Sequence, residues 1–327
     1  MVRLHCTQGR LQTDHIDLYQ HLNLDWPNAL RIHMNSYLLQ GESDIQLMRD
    51  LIERLPQETT VVDFEETMLL ATVRATTRLW QYQGKVVGFA FVDDYNSIRF
   101  EIEDEYRSAQ LEGEIITWGI TCVQKRRAET DEINGLGACF NSDNTWQIAL
   151  LERFGFVQTD FRTLQYGRSL HQSITPQPFP SGFSLRSVAG EHEVEAIVSL
   201  HRAAFGTEKM KVEHRLAIMN APQYERELDL VAVAPNGELA AYCICRVEDT
   251  IDSKKVGFTD QIGTHPLYQR RGLGKAMVTA GLQGLKERGV SIAQLSTGSN
   301  NIPMQRLAKS LGFTRTSEKL WFSKEVA

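Results

Sequence analysis

The sequence predicts an α/β (α+β) fold made of two tandem copies of one unit, each a mixed, largely antiparallel sheet flanked by helices. The main observation is a repeat: 144–156 (NTWQIALLERFGF) and 301–313 (NIPMQRLAKSLGF) share an initial Asn, an apolar stripe at helical spacing and a terminal Gly-Phe. Gly155 and Gly312 lie 157 residues apart, and each follows its Asn by eleven residues. Short apolar runs bounded by turn signals alternate with helical patterns in both halves, as a duplicated unit requires.

Length and composition suggest where the chain divides. Its 327 residues, 42% of them hydrophobic, are enough to bury two cores. Residues 171–182 contain three prolines and are expected to form an extended linker. The prediction is therefore a first domain at 36–170 and a second domain at 183–327. The N-terminal extension, 1–35, is given no role.

The apolar patterns predict an order of elements in each half. For the first half it is strand 37–40, helix 44–55, helix 64–75, strands 78–82 and 86–92, strand 115–122, a short polar helix 127–133 and strand 136–140. For the second half it is strand 183–188, helices 191–205 and 212–220, a hairpin of strands 228–234 and 239–247, strand 256–264, a helix ending at Gly289, strand 292–297 and a closing strand at 320–322. The hairpin is indicated by Asn236-Gly237, a strong turn signal.

The stretch 256–289 runs from a strand through a basic, glycine-bearing turn into a helix. Pro266 ends the strand, and Gly272 and Gly274 remove two side chains where the helix begins. The first turn of a helix has unpaired N–H donors and the positive end of the dipole. We therefore expect a pyrophosphate to bind the amides of residues 270–275.

Two commoner phosphate motifs are excluded by the residues. A Walker loop needs a glycine where Gln269 stands and a Ser or Thr where Ala276 stands. A dinucleotide fingerprint needs a third glycine at the position of Met277. Neither nucleotide motif is present.

The run Gln269-Arg270-Arg271-Gly272-Leu273-Gly274 resembles the Q/R-x-x-G-x-G/A acyl-CoA signature of the GNAT superfamily of N-acetyltransferases. The segment 301–313 resembles the later signature of that superfamily, an Asn followed by a short helix ending in Gly-Phe. The resemblance covers about 183–327, and the wording is nearest to the mycothiol synthase-like members. It implies acetyl-CoA as cosubstrate and direct acetyl transfer to an amine of a small molecule or peptide.

The resemblance also implies roles for individual residues. The strand before the glycine turn would separate from its neighbour, so that Ile262 and Thr264 bond the pantetheine arm through the main chain. The side chain of Asn301 would contact the pantetheine region; the alternative is that it is simply a helix cap. The pyrophosphate would be held by the signature and the residue after it: Gln269, Arg270, Arg271, Gly272, Leu273, Gly274 and Lys275.

Two departures from the family concern catalysis. Phe258 stands where relatives often place a glutamate base, and Asp260, two residues on, is the preferred substitute, with Glu248 and Glu318 weaker. A carboxylate between Phe258 and Ile262 could have a raised pKa and relay a proton through water, or it could be a surface or structurally paired aspartate. Ala308 stands where relatives carry a tyrosine acid, so the thiol would have to leave as thiolate. These departures keep open an alternative function, a non-catalytic acyl-CoA sensor or interaction module.

The first half lacks the glycine pair. Between its predicted strand 115–122 and Asn144 it has Gln-Lys-Arg-Arg-Ala at 124–128, where Arg126 and Arg127 could touch a phosphate or form a solvated basic patch. We interpret this half as a degenerate partner domain that could supply one wall of the substrate cleft.

Charge and cysteine content restrict the partners. Residues 1–170 carry 16 Lys+Arg against 25 Asp+Glu, a net of −9, and residues 171–327 carry 19 against 16, a net of +3. The acidic excess argues against nucleic acid and mildly favours cationic amines. The five cysteines have no metal-type spacing and no long apolar run exists, so we expect no metal, no membrane partner and a cytoplasmic protein, monomeric or homodimeric.

Overall fold

The computed structural model describes residues 34–55, 61–130, 135–249 and 255–326, without the side chains of Val61, Val62, Thr130 and Asp260. The predicted extension therefore lies almost wholly outside the described residues. Among the described helices, none is long and apolar enough to cross a membrane.

The first half contains six strands, five α-helices and one short 3-10 helix, Asp104–Tyr106, in the described ranges. The strands and α-helices are numbered. In chain order they are β1 (Asn35–Leu38), α1 (Glu42–Arg54), α2 (Val61–Met68), α3 (Ala71–Arg74), β2 (Arg78–Tyr82), β3 (Lys85–Val92), β4 (Ile98–Ile102), α4 (Ala109–Thr130), β5 (Leu136–Asn141), α5 (Thr145–Arg153) and β6 (Val157–Ser169). Residues 173–180 have no helix or strand.

The prediction of a strand at 115–122 is wrong, because these residues lie inside α4, a helix of 22 residues. The run is rich in β-branched residues, which favours a strand locally. Its buried positions instead recur at helical spacing, with Leu111, Ile115, Ile116 and Val123 each at most 2% exposed. Packing of this stripe against the sheet overrides the local preference. β4 and β6 are the strands of the first half that the sequence analysis missed.

The second half repeats this order. Its elements are β7 (Ser184–Ser187), α6 (Val194–Phe205), α7 (Val212–Asn220), β8 (Asp229–Val233), β9 (Leu239–Asp249), β10 (Lys255–Thr264), α8 (Leu273–Glu287), β11 (Ile292–Gly298), α9 (Ile302–Ser310) and β12 (Thr314–Lys324). The helices at 212–220 and after Gly272, and the hairpin β8–β9, lie where the pattern predicts them.

The strands form two sheets. One is antiparallel, with the order β1-β2-β3-β4, and the other has eight strands in the order β5-β12-β6-β11-β10-β9-β8-β7, in which β10 and β11 form a parallel pair. The predicted fold class, mixed and largely antiparallel sheets flanked by helices, is confirmed.

The closing strands of the two halves are exchanged. β6 of the first half pairs with β11 of the second, while β12 of the second half pairs with β5 of the first. Each half therefore completes its sheet with a strand from the other. The division into domains 36–170 and 183–327 stays a prediction, since the sheet continues across it.

The helices cover opposite faces of the large sheet. Residues of α8 and α9 share a buried cluster with Leu164 and Leu295, and α4 and α5 share another with Phe140 and Phe322. On the other face, α6 and α7 pack over β8 and β9. This arrangement places the turn before α8 at the edge of the first face.

Candidate functional site

The glycine turn before α8 presents a row of backbone donors. Arg270 and Gly272 both have left-handed backbones, with φ of 62° and 89°. Gly272 is the N-cap, and the first hydrogen bond of the helix runs from Ala276 N to Gly272 O at 3.1 Å. Within the described residues, the N–H groups of 270–275 have no hydrogen-bond partner. These donors, at the positive end of a 15-residue helix, suit an anion.

The second glycine of the turn is tightly packed. A Cβ on Gly274 would lie 3.2 Å from Leu307 Cδ1 and 3.9 Å from Thr264 Oγ1. A side chain there would make the end of the Leu307 side chain shift by a few tenths of an ångström. Gly272, by contrast, has open space around it, so its need for glycine comes from its backbone angle.

The side chains of the signature play different parts. Gln269 Nε2 donates to Thr264 O at 3.2 Å, which ties the turn to the end of β10. Arg270 and Arg271 are exposed, and Lys275 is partly buried. Leu273 is 1% exposed and belongs to the core, so only its N–H group can contact a ligand.

Tyr268 contacts residues that flank the glycine turn. Its hydroxyl donates to Glu238 Oε2 at 2.7 Å, and its ring packs edge-on against Phe183 at 5.7 Å. The hydrogen bond to Glu238 raises the pKa of Tyr268, and the same bond lowers the pKa of Glu238. The guanidinium of Arg271 lies 5.7 Å from the Tyr268 ring centroid. Sequence reasoning missed Tyr268, although an aromatic residue directly before the basic turn was a visible signal.

A gap opens between β10 and β11 next to this turn. The two strands pair only from Val256 to Phe258, whereas β10 stays paired with β9 up to Thr264. The ladder to β9 includes a bond from His265 N to Ala240 O at 2.9 Å. Because antiparallel pairs alternate, the main-chain groups of Ile262 and Thr264 point away from β9 and into the gap.

A bulge lies at the start of this gap. The register of β10 against β9 shifts between Asp260 and Ile262, and Gln261 has a φ of 47°. The backbone of Asp260 pairs with Ile244, while its side chain lies outside the described residues. Phe258 pairs with Arg246. The two weaker carboxylates lie away from the bulge: Glu248 pairs with Val256, and Glu318 is in β12.

Asn301 is the cap of α9. Its side chain accepts a hydrogen bond from Met304 N at 3.2 Å, which is the alternative that the sequence left open. Ala308 is fully buried and offers no proton.

A narrow crevice lies over the bulge, on the face opposite α8. It is lined by Ile218 of α7, Ile244 and Arg246 of β9, Gln261 of β10 and Glu66 of α2. Arg246 Nη1 pairs with Glu66 at 2.9 Å, and its Nη2 pairs with Asp63 at the same distance. Carboxylates of the first half thus form one side of a crevice that the second half otherwise builds.

The corresponding place in the first half is occupied by its own side chains. The Oγ atom of Ser108 accepts from Leu111 N at 3.3 Å, and its carbonyl accepts from Glu112 N at 2.9 Å. The Arg107 guanidinium stacks over the Trp146 ring at 3.8 Å. Gln147 Nε2 donates to Phe100 O at 3.3 Å, which fills the space beside β4.

The basic pair of the first half has structural partners. Arg126 donates to the carbonyls of Asp93 and Val92, and Arg127 donates to Val326 O at 3.0 Å. The sequence suggested either a phosphate contact or a solvated basic patch for this pair. Arg126 fits neither prediction, because the long helix α4 places it against the β3–β4 turn.

One group of side chains in the described residues has the composition of a metal site. Ligand atoms of Asp94, Glu213 and His214 lie within 4.8 Å of one another. However, His214 Nε2 is 2.8 Å from Asp94 Oδ2, and His214 Nδ1 accepts from Lys211 N at 3.1 Å. Both ring nitrogens of His214 are therefore engaged, and the His214–Asp94 contact connects the two halves.

Comparison with known proteins agrees with this geometry. Residues 194–313 match the acetyltransferase (GNAT) family. A mycothiol acetyltransferase of Segniliparus rotundus is 27% identical over 248 residues, which is 71% of this chain and 88% of that protein. A GCN5-related N-acetyltransferase from Sphaerobacter thermophilus has a TM-score of 0.62 at 18% identity, over 91% of this chain and 97% of that one. A tandem GNAT protein from the clavulanic acid biosynthesis pathway has a TM-score of 0.67 at 14% identity, over 90% of this chain and 98% of that one.

The chain therefore carries a GNAT domain at 194–313 and is an N-acetyltransferase. The prediction of a GNAT-type enzyme in a tandem arrangement is confirmed, and the structural neighbours support the fold alone.

Proposed function

We propose that this protein transfers an acetyl group from acetyl-CoA directly to an amine of a small molecule or peptide. The observation that carries the proposal is the continuity between the unpaired amides of 270–275 and the gap beside β10. The unpaired amides suit an anionic group, and the gap suits an extended arm that contains amide groups. A coenzyme A thioester has both parts.

The donor would lie in two segments. The amides of 270–275, with Arg270, Arg271 and Lys275, would bind the pyrophosphate. The main chain of Ile262 and Thr264 would pair with the pantetheine as a short extra strand, since these groups point into the gap. Gln269 would act indirectly, because its amide already holds Thr264 O.

The acceptor would approach over the bulge, where the side chains of the closed crevice would have to move apart. Glu66 and Asp63, which pair with Arg246 there, belong to the half of the chain that carries the acidic excess. The acidic excess of that half favours a cationic amine over an anionic acceptor. The name of the Segniliparus relative suggests the amine whose acetylation gives mycothiol as one candidate.

Acetyl transfer needs a proton acceptor and a leaving thiolate. Asp260 stays the predicted base of β10, and its role is tested by Asp260→Asn. With Ala308 in place of an acid, the thiolate would leave unprotonated, which a thiol pKa of about 8.5 permits.

Calorimetric titration of acetyl-CoA tests the donor site. Gly272→Trp places a bulky ring at a position with a φ of 89° and open surroundings, in front of the free amides. We expect binding to weaken at least about 100-fold, from two lost charge-assisted hydrogen bonds of roughly 1.5 kcal/mol each. The matched control is Gly84→Trp, an equally open glycine with a φ of 83° in the first half. Equal losses in both variants would contradict the proposal.

A thiol-release assay tests turnover. The amines are deacetylated mycothiol, glucosamine, spermidine, tyramine, L-lysine and glycylglycine, each with acetyl-CoA. Release of free coenzyme A with at least one amine is expected. Tight acetyl-CoA binding without release would favour the second candidate function, an acyl-CoA sensor, which the residues Phe258 and Ala308 favour.

A further inference from the structure

A histidine and a tyrosine are coupled beside the bulged strand. His201 Nδ1 of α6 lies 2.6 Å from the Tyr242 hydroxyl of β9. Tyr242 is 1% exposed, whereas His201 is partly exposed and stacks on Phe205 at 4.6 Å. Tyr242 is therefore buried, whereas solvent or a ligand can reach His201.

A glycine in β10 makes room for this couple. Gly263 pairs with Tyr242, and a Cβ on Gly263 would lie 2.5 Å from Tyr242 Cε1 and 3.1 Å from Ala204 Cβ. The tyrosine ring and the C-terminal end of α6 thus lie directly on the strand that borders the gap.

The couple and the crevice share one face of the sheet. In β9, Cys245 faces α8, since a Cβ on Gly281 would lie 2.5 Å from its sulfur. Cys243 lies on the same face as Cys245, because side chains alternate along a strand. The opposite face therefore carries Tyr242, Ile244 and Arg246. Tyr242 is two residues from Ile244 of the crevice, or about 7 Å along the strand.

The second nitrogen of His201 has a different environment from the first. Within the described residues, Nε2 has no hydrogen-bond partner. The groups that act on the ring are Tyr242 from β9 and Arg215 and His214 from α7; the Asp260 side chain of β10 lies outside the described residues. Burial, and then electrostatic interaction with the neighbouring Arg215 and His214, lowers the pKa of His201 below its ordinary value of 6.5. The imidazole is therefore neutral near pH 7 and can accept a proton.

We propose that His201 accepts, at Nε2, the proton that the acceptor amine loses during acetyl transfer, with Tyr242 as the residue that positions it. This inference rests on the proposed function. The amine nitrogen forms a bond to the thioester carbonyl carbon, its proton passes to Nε2 directly or across one water, and the C–S bond breaks to release the thiolate. The imidazolium then returns the proton to solvent. The neutral ring must carry its hydrogen on Nδ1, where it donates to the Tyr242 oxygen.

The test is a pH series of kcat/KM for the amine of the panel that releases thiol fastest. His201→Gln should lower kcat/KM at least about 100-fold, the usual effect of a general base, and should remove the rise that wild type shows below pH 6.5. The acetyl-CoA Kd should stay within twofold. Tyr242→Phe should keep the rise, displaced along the pH axis, at a smaller loss of about tenfold, because the ring remains but its tautomer is no longer held. His192→Gln, at an exposed histidine just before α6, is the control.

Three results separate the possibilities. If His201→Gln keeps the pH rise and loses less than threefold in rate, the inference is wrong. If Asp260→Asn alone removes the rise, the proton goes to the carboxylate, and the inference is again wrong. If wild type binds acetyl-CoA but no amine releases thiol, the proposed function fails and the inference fails with it.

Discussion

The N-termini of the corresponding helices α8 and α4 differ in capping and in the charge around them. α8 begins at a glycine with no side-chain cap, and the amides in front of it have no partner in the described residues. α4 begins after Ser108, whose hydroxyl caps the helix by accepting from Leu111 N at 3.3 Å. The bond from Glu112 N to Ser108 O is common to both helices, since Ala276 N donates to Gly272 O in α8. The turn before α8 is basic, while the turn before α4 contains Asp104 and Glu105. A helix start can bind an anion only while its donors are unused and its surroundings are not acidic.

The spaces beside the preceding strands differ in the same way. Gln147 fills the space beside β4 by donating to Phe100 O, and it is 1% exposed. The residue 157 positions later is Met304, a partly buried side chain that has no amide to donate. The first half has the same order of elements, and its own hydrogen bonds occupy the space beside β4. It contributes the exchanged strand β6 and the carboxylates that pair with Arg246.

The largest expected effect comes from reversing the charge of one arginine in each of the two turns. Arg271 and Arg107 each lie over an aromatic ring in the turn before a helix, at 5.7 Å from Tyr268 and 3.8 Å from Trp146. Arg271→Glu should weaken acetyl-CoA binding about 100-fold, because it removes a charge-assisted bond and adds repulsion. Arg107→Glu should change the Kd less than twofold in the same titration. Similar losses in both would mean that the first half also contributes a phosphate contact.

The next prediction concerns the filled space in the first half. Gln147→Ala leaves the carbonyl of Phe100 without its partner, so we expect the free energy of unfolding to fall by about 1–3 kcal/mol in urea denaturation. Met304→Leu, a volume-conserving change at the matching position, should cost under about 1.5 kcal/mol. The acetyl-CoA stoichiometry should stay at one per chain in both variants. A second equivalent bound by the Gln147→Ala protein would show that one side chain alone had closed a working site.

The helix caps allow a finer comparison. Asn144 and Asn301 each accept from the amide three residues on, at 3.2 Å in both helices. Either Asn→Ala change should lower the unfolding free energy by about 1 kcal/mol. The loss at Asn144 should be larger, because its Nδ2 also donates to Gln147 and so supports the filled space. Equal denaturation midpoints for the two variants would contradict this coupling.

Sequence reasoning succeeded where a local pattern decides the structure. The duplication, the free start of α8 and the short helices after Asn144 and Asn301 all follow from short motifs whose geometry is set within one turn. It failed at 115–122, where burial against the sheet decides between helix and strand. It also missed the exchange of β6 and β12, Tyr268 and the His201–Tyr242 couple, because each depends on contacts between residues distant in sequence.

The smallest expected effect concerns Cys122 on α4, the helix of the first half that corresponds to α8. Burial raises the pKa of this thiol to about 11. At pH 8, on the order of one molecule in a thousand carries the thiolate, the form that reacts with alkylating reagents. Native protein should therefore leave Cys122 unmodified by iodoacetamide at pH 8 while urea-unfolded protein reacts fully, as peptide mass spectrometry would show. Rapid modification of the native chain would mean that the first half opens around α4 far more often than its closed turn implies.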